Sequence, residues 1–232
     1  MQSILRSQIC QSINFEIGAV TIDGPMLGKV ADALYKIVPS PPVVDKDSTR
    51  LFRKVTSSFW VQNTRAKLEI IGGKLFATMG EYEPANNAFI LPFSDTAGDT
   101  EREATVVHES VHAALDMAGQ PHLELDNEAA ARIAAEWYRL GKLKSGYTLS
   151  TNPLGETMSQ TGPFALIAQS AQKASTKPYV VPDNQRQFVH AVLNSHGYPS
   201  RRDKLDDSDG VLGPISKELW EPITPTRTAP RR

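Results

Sequence analysis

Two histidines four positions apart, with a glutamate directly after the first, constrain this chain more than any other feature. Residues 105–114 read TVVHESVHAA and place His108, Glu109 and His112 in an HExxH arrangement. An α-helix turns about 100° per residue and rises ~1.5 Å, so His108 and His112 lie one turn apart on nearly the same face, where both imidazoles can meet a single zinc ion. Glu109 sits beside that face and cannot join the pair. Its carboxylate is left to take a proton from a water on an open zinc position, whose pKa the metal lowers to roughly 7. Glu109 is then the expected general base, and afterwards the acid that protonates a leaving amine. The bland alternative is a helix carrying two solvated histidines. The flanks favour the metal: no Pro or Gly interrupts 100–118, and Glu101 and Glu103 suit the positive end of a helix over that span.

A catalytic zinc takes three protein ligands and keeps one position for water. The candidates for the third are His122, Glu124, Asp126, Glu128 and Glu136. Gly119 reads as a helix stop and Pro121 as the start of a second helix running to about residue 140. The two helices are expected to be antiparallel, and Glu128 then returns to the height of His112. Alanines at 129, 130, 131, 134 and 135 allow the close approach that a shared ion demands. Glu128 is therefore the expected third ligand, with Glu124 as its rival. The competing reading of Glu128 is a surface pair with Arg132 at i+4.

HESVH followed after a turn by NEAAARIA resembles the gluzincin arrangement of zincin metallopeptidases, over roughly residues 67–140. The resemblance implies His108, His112 and Glu128 as zinc ligands and Glu109 as base. Arg132 stands four after Glu128, where many gluzincins carry an acidic residue that supports a histidine; Asp116 or Asp126 is the expected substitute.

Residues 67–93 alternate as two or three short strands, broken at Gly72-Gly73 and at 84–87, which predicts a small antiparallel sheet before the HExxH helix. In zincins an edge strand holds an extended substrate by its main chain, and the matching segment is 87–93. An oxyanion donor could come from Tyr82, Tyr138, Tyr147, His122 or His190, among which the sequence does not choose.

Near the C-terminus, 183–196 reads as a capped amphipathic helix with Phe188, Val192 and Leu193 on its apolar side, and a short helix is expected at 215–220. An EF-hand loop is excluded, because setting Gly210 at its sixth position puts Leu205 first and Ser216 twelfth, and neither supplies a carboxylate. Leu193-Asn194, Gly197-Tyr198-Pro199, Asp209-Gly210, Gly213-Pro214 and Ser216 instead resemble the peptidoglycan-binding module over about 182–220. That resemblance implies peptidoglycan as a partner, without assigning contact residues.

The predicted class is α+β: a zincin-like domain over 1–150, a connector and apolar helix over 151–176, and a small helical module over 177–225. The N-terminal part is read as a strand at 13–22 and a helix at 25–37, followed by a Pro-rich break, and Trp60 as a packing residue. A formal net charge of −1 gives no electrostatic reason to expect nucleic acid. The single cysteine, Cys10, excludes an intramolecular disulfide and a cysteine-rich zinc site. No stretch is apolar enough to span a bilayer, and the first twelve residues lack the apolar run of a secretory signal. The expectation is a soluble protein, cytoplasmic or exported by a dedicated machine. Its expected activity is that of a zinc metallopeptidase acting on a peptide or protein, with bacterial wall peptides and an antibacterial effector role implied by the C-terminal resemblance. The alternative from another class is a non-enzymatic binding protein on a zincin scaffold. A structural zinc site closed by a fourth ligand, His122 or Glu124, is a third reading.

Overall fold

The structure is a computed structural model of the chain. It describes residues 1–35, 43–44, 51–53, 60–63, 68–71, 74–77, 80–84, 88–91, 93, 96, 98–119, 122–144 and 162–195. These residues make a mixed α and β molecule, mostly helical with small sheets. Among them, no helix is long and apolar enough to cross a membrane.

The centre is a pair of long helices, α4 (Thr100–Ala118) and α5 (Glu124–Lys144). The ends of α4 are set locally. Asp99 accepts from the backbone N–H groups of Glu101 and Arg102 at 3.0 and 3.1 Å, and Gly119 closes the helix in the left-handed region at φ 61°. The helix therefore occupies the span its sequence predicts. α5 starts three residues after Pro121 and continues past residue 140, through Gly141. A Cβ there would come within 2.5 Å of Ile9 Cγ2, so this glycine lets an N-terminal helix pack close to α5. Cross-links at both ends show that α4 and α5 run antiparallel: Arg139 meets Glu101 at 2.9 Å and Lys142 meets Glu103 at 2.8 Å, whereas Asn127 meets His112 at 2.7 Å. Ala129, Ala130, Ala131 and Ala134 on α5 and Ala113 on α4 are fully buried. Small side chains let the two backbones come together.

The N-terminus differs from the single strand expected at 13–22. Two short helices, α1 (Gln2–Leu5) and α2 (Gln8–Gln11), precede a hairpin of β1 (Asn14–Ile17) and β2 (Val20–Asp23), and α3 (Gly24–Tyr35) follows. Gly18 makes the turn with φ 57°, a conformation that favours glycine and splits the apolar run. Leu5, Cys10, Phe15, Ile17 and Ile22 are fully buried. Phe15 stacks on Trp137 of α5 at 6.3 Å between ring centres.

The start of α3 rests on the end of α2, where a Cβ on Gly24 would lie 2.6 Å from the carbonyl oxygen of Gln11 and 2.7 Å from its Cα. Backbone cannot swing aside as a side chain can. Gly24→Ala is expected to destabilise the fold by about 1–3 kcal/mol, read as a lower urea midpoint with unchanged slope. An unchanged midpoint would mean that α2 and α3 separate without cost.

The second sheet has the order β3 (Val43–Val44), β4 (Leu51–Arg53), β5 (Trp60–Asn63), β9 (Ala88–Leu91), β8 (Glu81–Glu83), and β6 (Leu68–Ile71) and β7 (Lys74–Ala77) pair with each other in a separate two-stranded sheet among the described residues. Within 67–93 the pairs β6–β7 and β8–β9 are antiparallel as expected, but they belong to two different sheets, and β9 also pairs parallel with β5, Trp60 opposite Ala88. β9 is also an interior strand. Segment 87–93 is therefore not at the sheet's edge as expected; among the described residues, the last strand beside α4 is β8. The side chain of Trp60 and residues 145–161 lie outside the described residues.

Helix α6 (Pro163–Lys173) packs on α5, and β10 (Tyr179–Val180) pairs parallel with β1, joining Phe15 to Tyr179. α7 (Asp183–Ser195) packs on α5 and α6 and buries Val189 and Leu193. Phe188, expected on the apolar side, is 59% exposed instead. Val189 and Leu193 are one helical turn apart and face the core, which turns Phe188 about 100° away from Val189. The residues at 179–193 thus share the core built by α4 and α5. The expected helix at 215–220 and the turn elements of the peptidoglycan-binding resemblance beyond residue 195 lie outside the described residues.

Candidate metal centre

The one-turn spacing on α4 brings His108 and His112 together edge to face, their ring centres 4.8 Å apart and their Nε2 atoms 3.1 Å apart. From α5, Glu128 directs Oε2 to 3.7 Å from His108 Nε2 and 3.6 Å from His112 Nε2. These three donors form a nearly regular triangle. The point equidistant from its corners lies about 2.0 Å from each, matching zinc–nitrogen and zinc–carboxylate bond lengths. Among the described residues, His108, His112 and Glu128 are the group of three or more His, Cys, Asp or Glu side chains able to share an ion. The other candidates for third ligand do not join it. Asp126 is held by Arg186 and His190, Glu136 pairs with Arg139 at 2.7 Å, and Glu124 and His122 stand outside the cluster.

The two oxygens of Glu128 have different neighbours. Arg132 donates from Nε to Oε1 at 2.6 Å, leaving Oε2 for the histidine pair. Burial pushes the pKa of His108 down to about 3, with the negative charge of Glu128 opposing. Burial would raise Glu128, but His108, Arg132 and His112 beside it bring its carboxyl down to about 2. Near neutral pH the site therefore holds His108 uncharged and Glu128 ionised, the forms in which these side chains bind metals.

Asp116 and Asp126, the expected supports, are each engaged by another side chain. Asp116 accepts from the Tyr82 hydroxyl at 2.6 Å, and Asp126 takes a forked pair of bonds from Arg186 at 2.8 and 2.7 Å. Asn127 supports the site instead, with Oδ1 2.7 Å from His112 Nδ1. A proton on Nδ1 donated to that oxygen leaves the Nε2 lone pair facing the ion position. The sequence signal for Asn127 was its place directly before Glu128 in the first turn of α5.

Glu109 is 5% exposed and lies under the β8 edge. The backbone N–H of Tyr82 bonds its carboxylate, and a Cβ on Gly80 would come within 3.1 Å of its Oε1. Burial and then the nearby charge of Glu128 raise its pKa well above the ordinary carboxylate value, against the pull of the Tyr82 N–H. A raised pKa makes this carboxyl, in its ionised form, a stronger proton acceptor than an ordinary carboxylate.

No protein-family model, curated protein or solved structure matches the chain. Of the oxyanion candidates, Tyr82 is bonded to Asp116, Tyr138 to Glu103 at 3.2 Å and His190 to Asp126 at 2.9 Å. His122 is buried, and Tyr147 lies outside the described residues.

Proposed function

We propose that this protein is a zinc-dependent peptidase on a zincin-like core, with His108, His112 and Glu128 as ligands and Glu109 as the proton carrier. The observation that carries the reading is the donor triangle, whose centre suits zinc, with a buried carboxyl of raised pKa on the same helix. Zinc at such a site supplies Lewis acidity and makes hydroxide available near neutral pH. Glu109 takes the proton of the attacking water and returns it to the departing amine. Asn127 and Arg132 hold His112 and Glu128 in their ligating orientations. β8 is the last strand of its sheet beside α4, the place at which an extended peptide would add as a further strand. The proposed substrate is a wall stem or cross-link peptide, or a protein near the wall, on the strength of the C-terminal resemblance to peptidoglycan-binding modules. An antibacterial effector is the corresponding biological role.

The test is zinc quantification by elemental analysis on protein purified without a metal-binding tag. It is paired with hydrolysis of a mixed peptide library before chelation, after it, and after zinc is restored. About one zinc per chain and a chelator-sensitive, zinc-restored cleavage are expected. Absence of zinc after reconstitution ends the proposal.

Gly80 gives a finer check. Its added Cβ in Gly80→Ala would meet Thr105 Cγ2 at 2.7 Å as well as Glu109 Oε1. The variant is expected to keep its zinc and to lose on the order of 10²-fold in kcat, since small displacements of a reacting group cost that much. Wild-type kcat would show that β8 does not set the position of Glu109.

A further inference from the structure

We infer that Arg186, on the C-terminal helix α7, is a positioning residue for the metal centre, acting through Asp126 on Asn127 and so on His112. This inference rests on the metal reading of His108, His112 and Glu128. Asp126 and Asn127 lie in the first turn of α5 and Glu128 follows directly, and the backbone N–H groups of Asp126 and Asn127 both bond the Leu123 carbonyl at 3.0 Å. First turns of helices fray, because their leading N–H groups lack intrahelical partners. Here two of the three side chains serve the metal centre, so slack in this turn would pass directly to His112 and Glu128.

The third side chain holds the turn in place. Asp126 is 1% exposed, and Arg186 grips it with a fork, Nε to Oδ1 at 2.8 Å and Nη2 to Oδ2 at 2.7 Å. His190, one turn further along α7, adds a bond to Oδ1 at 2.9 Å. The hairpin turn closes the arrangement. A Cβ on Gly18 would lie 2.5 Å from Asp126 Oδ2 and 2.8 Å from Arg186 Nη2, so only a glycine lets β1 and β2 seat against the ion pair. A two-point fork fixes both the position and the rotation of the carboxylate, which a single ammonium cannot do. Through one peptide unit, that orientation sets where Asn127 Oδ1 meets His112 Nδ1.

The test uses the full-length chain as wild type, Arg186→Met and Arg186→Lys. Two quantities are read: zinc affinity by competition with a chromogenic chelator, and the protonated nitrogen of His112 from two-bond ¹⁵N–¹H couplings in the metal-free protein. Arg186→Met is expected to weaken zinc binding 10- to 100-fold, the range for loss of support behind a ligand. It should also move the His112 proton partly from Nδ1 to Nε2. Arg186→Lys keeps the charge without the fork and is expected to fall between wild type and Arg186→Met, which keeps the inference testable should the methionine variant not fold. A folded variant with wild-type zinc affinity and an unchanged His112 signal overturns the inference while leaving the metal reading intact. A moved His112 signal in a protein whose wild type binds no zinc supports the positioning and sinks the metal reading.

Discussion

Exchanging Glu109 for Gln is expected to leave zinc bound at about one per chain while cutting peptide hydrolysis by about 10³-fold, within the range for loss of a general acid–base group. The amide is nearly isosteric with the acid, so it fits the space bounded by Gly80 and Thr105 and can still accept from the Tyr82 N–H. It cannot take a proton from water at neutral pH. Glu109 is not one of the three clustered donors, so the ligand set is untouched. Zinc content and kcat measured on one preparation check this. Hydrolysis within tenfold of wild type, with zinc in place, would remove Glu109 from the mechanism. Unchanged biological potency alongside absent hydrolysis in both proteins would favour the non-enzymatic binding protein.

The second large effect concerns the metal itself. His112→Ala and Glu128→Ala are each expected to reduce bound zinc from about one per chain to a small fraction of that, because two protein ligands remain where a catalytic site uses three. The two losses have different companions. Removing His112 leaves Asn127 Oδ1 facing a void, whereas removing Glu128 takes away the carboxylate that Arg132 Nε holds at 2.6 Å. Elemental analysis of both variants beside the wild type decides the matter. Full occupancy in Glu128→Ala would mean that α5 does not supply the third ligand, and Glu124 would return as its rival.

The clustering of His108, His112 and Glu128 was legible because their placement follows from short-range rules. One helical turn separates His108 from His112, and a Gly-terminated helix followed at once by another predicts an antiparallel partner that brings Glu128 to the same height. The ends of α4 were legible for a similar reason, since Asp99 and Gly119 act on their immediate neighbours. Strand order was not. That β9 is interior and β8 lies at the edge depends on β5 pairing with β9 across some twenty-five intervening residues, and alternation along each strand is silent about its neighbours. Asn127 was overlooked because a polar residue beside a ligand looks the same whether it faces the ligand cage or solvent. The role of α7 was hidden for a related reason: Asp126 and Arg186 stand sixty residues apart, and only the fold shows that they touch.

The separation in sequence between the two halves of this centre bears on how it comes to be built. All three donors lie on a single helical hairpin whose closing segment is a few residues long, so bringing them together costs little chain entropy and relies on contacts that form early. The fork on Asp126 belongs to the opposite regime, because it joins elements at residues 18, 126 and 186 that meet only after a long span of backbone has been ordered. The cluster of His108, His112 and Glu128 is thus a local product of the chain, whereas the fork on Asp126 is a product of its long-range folding.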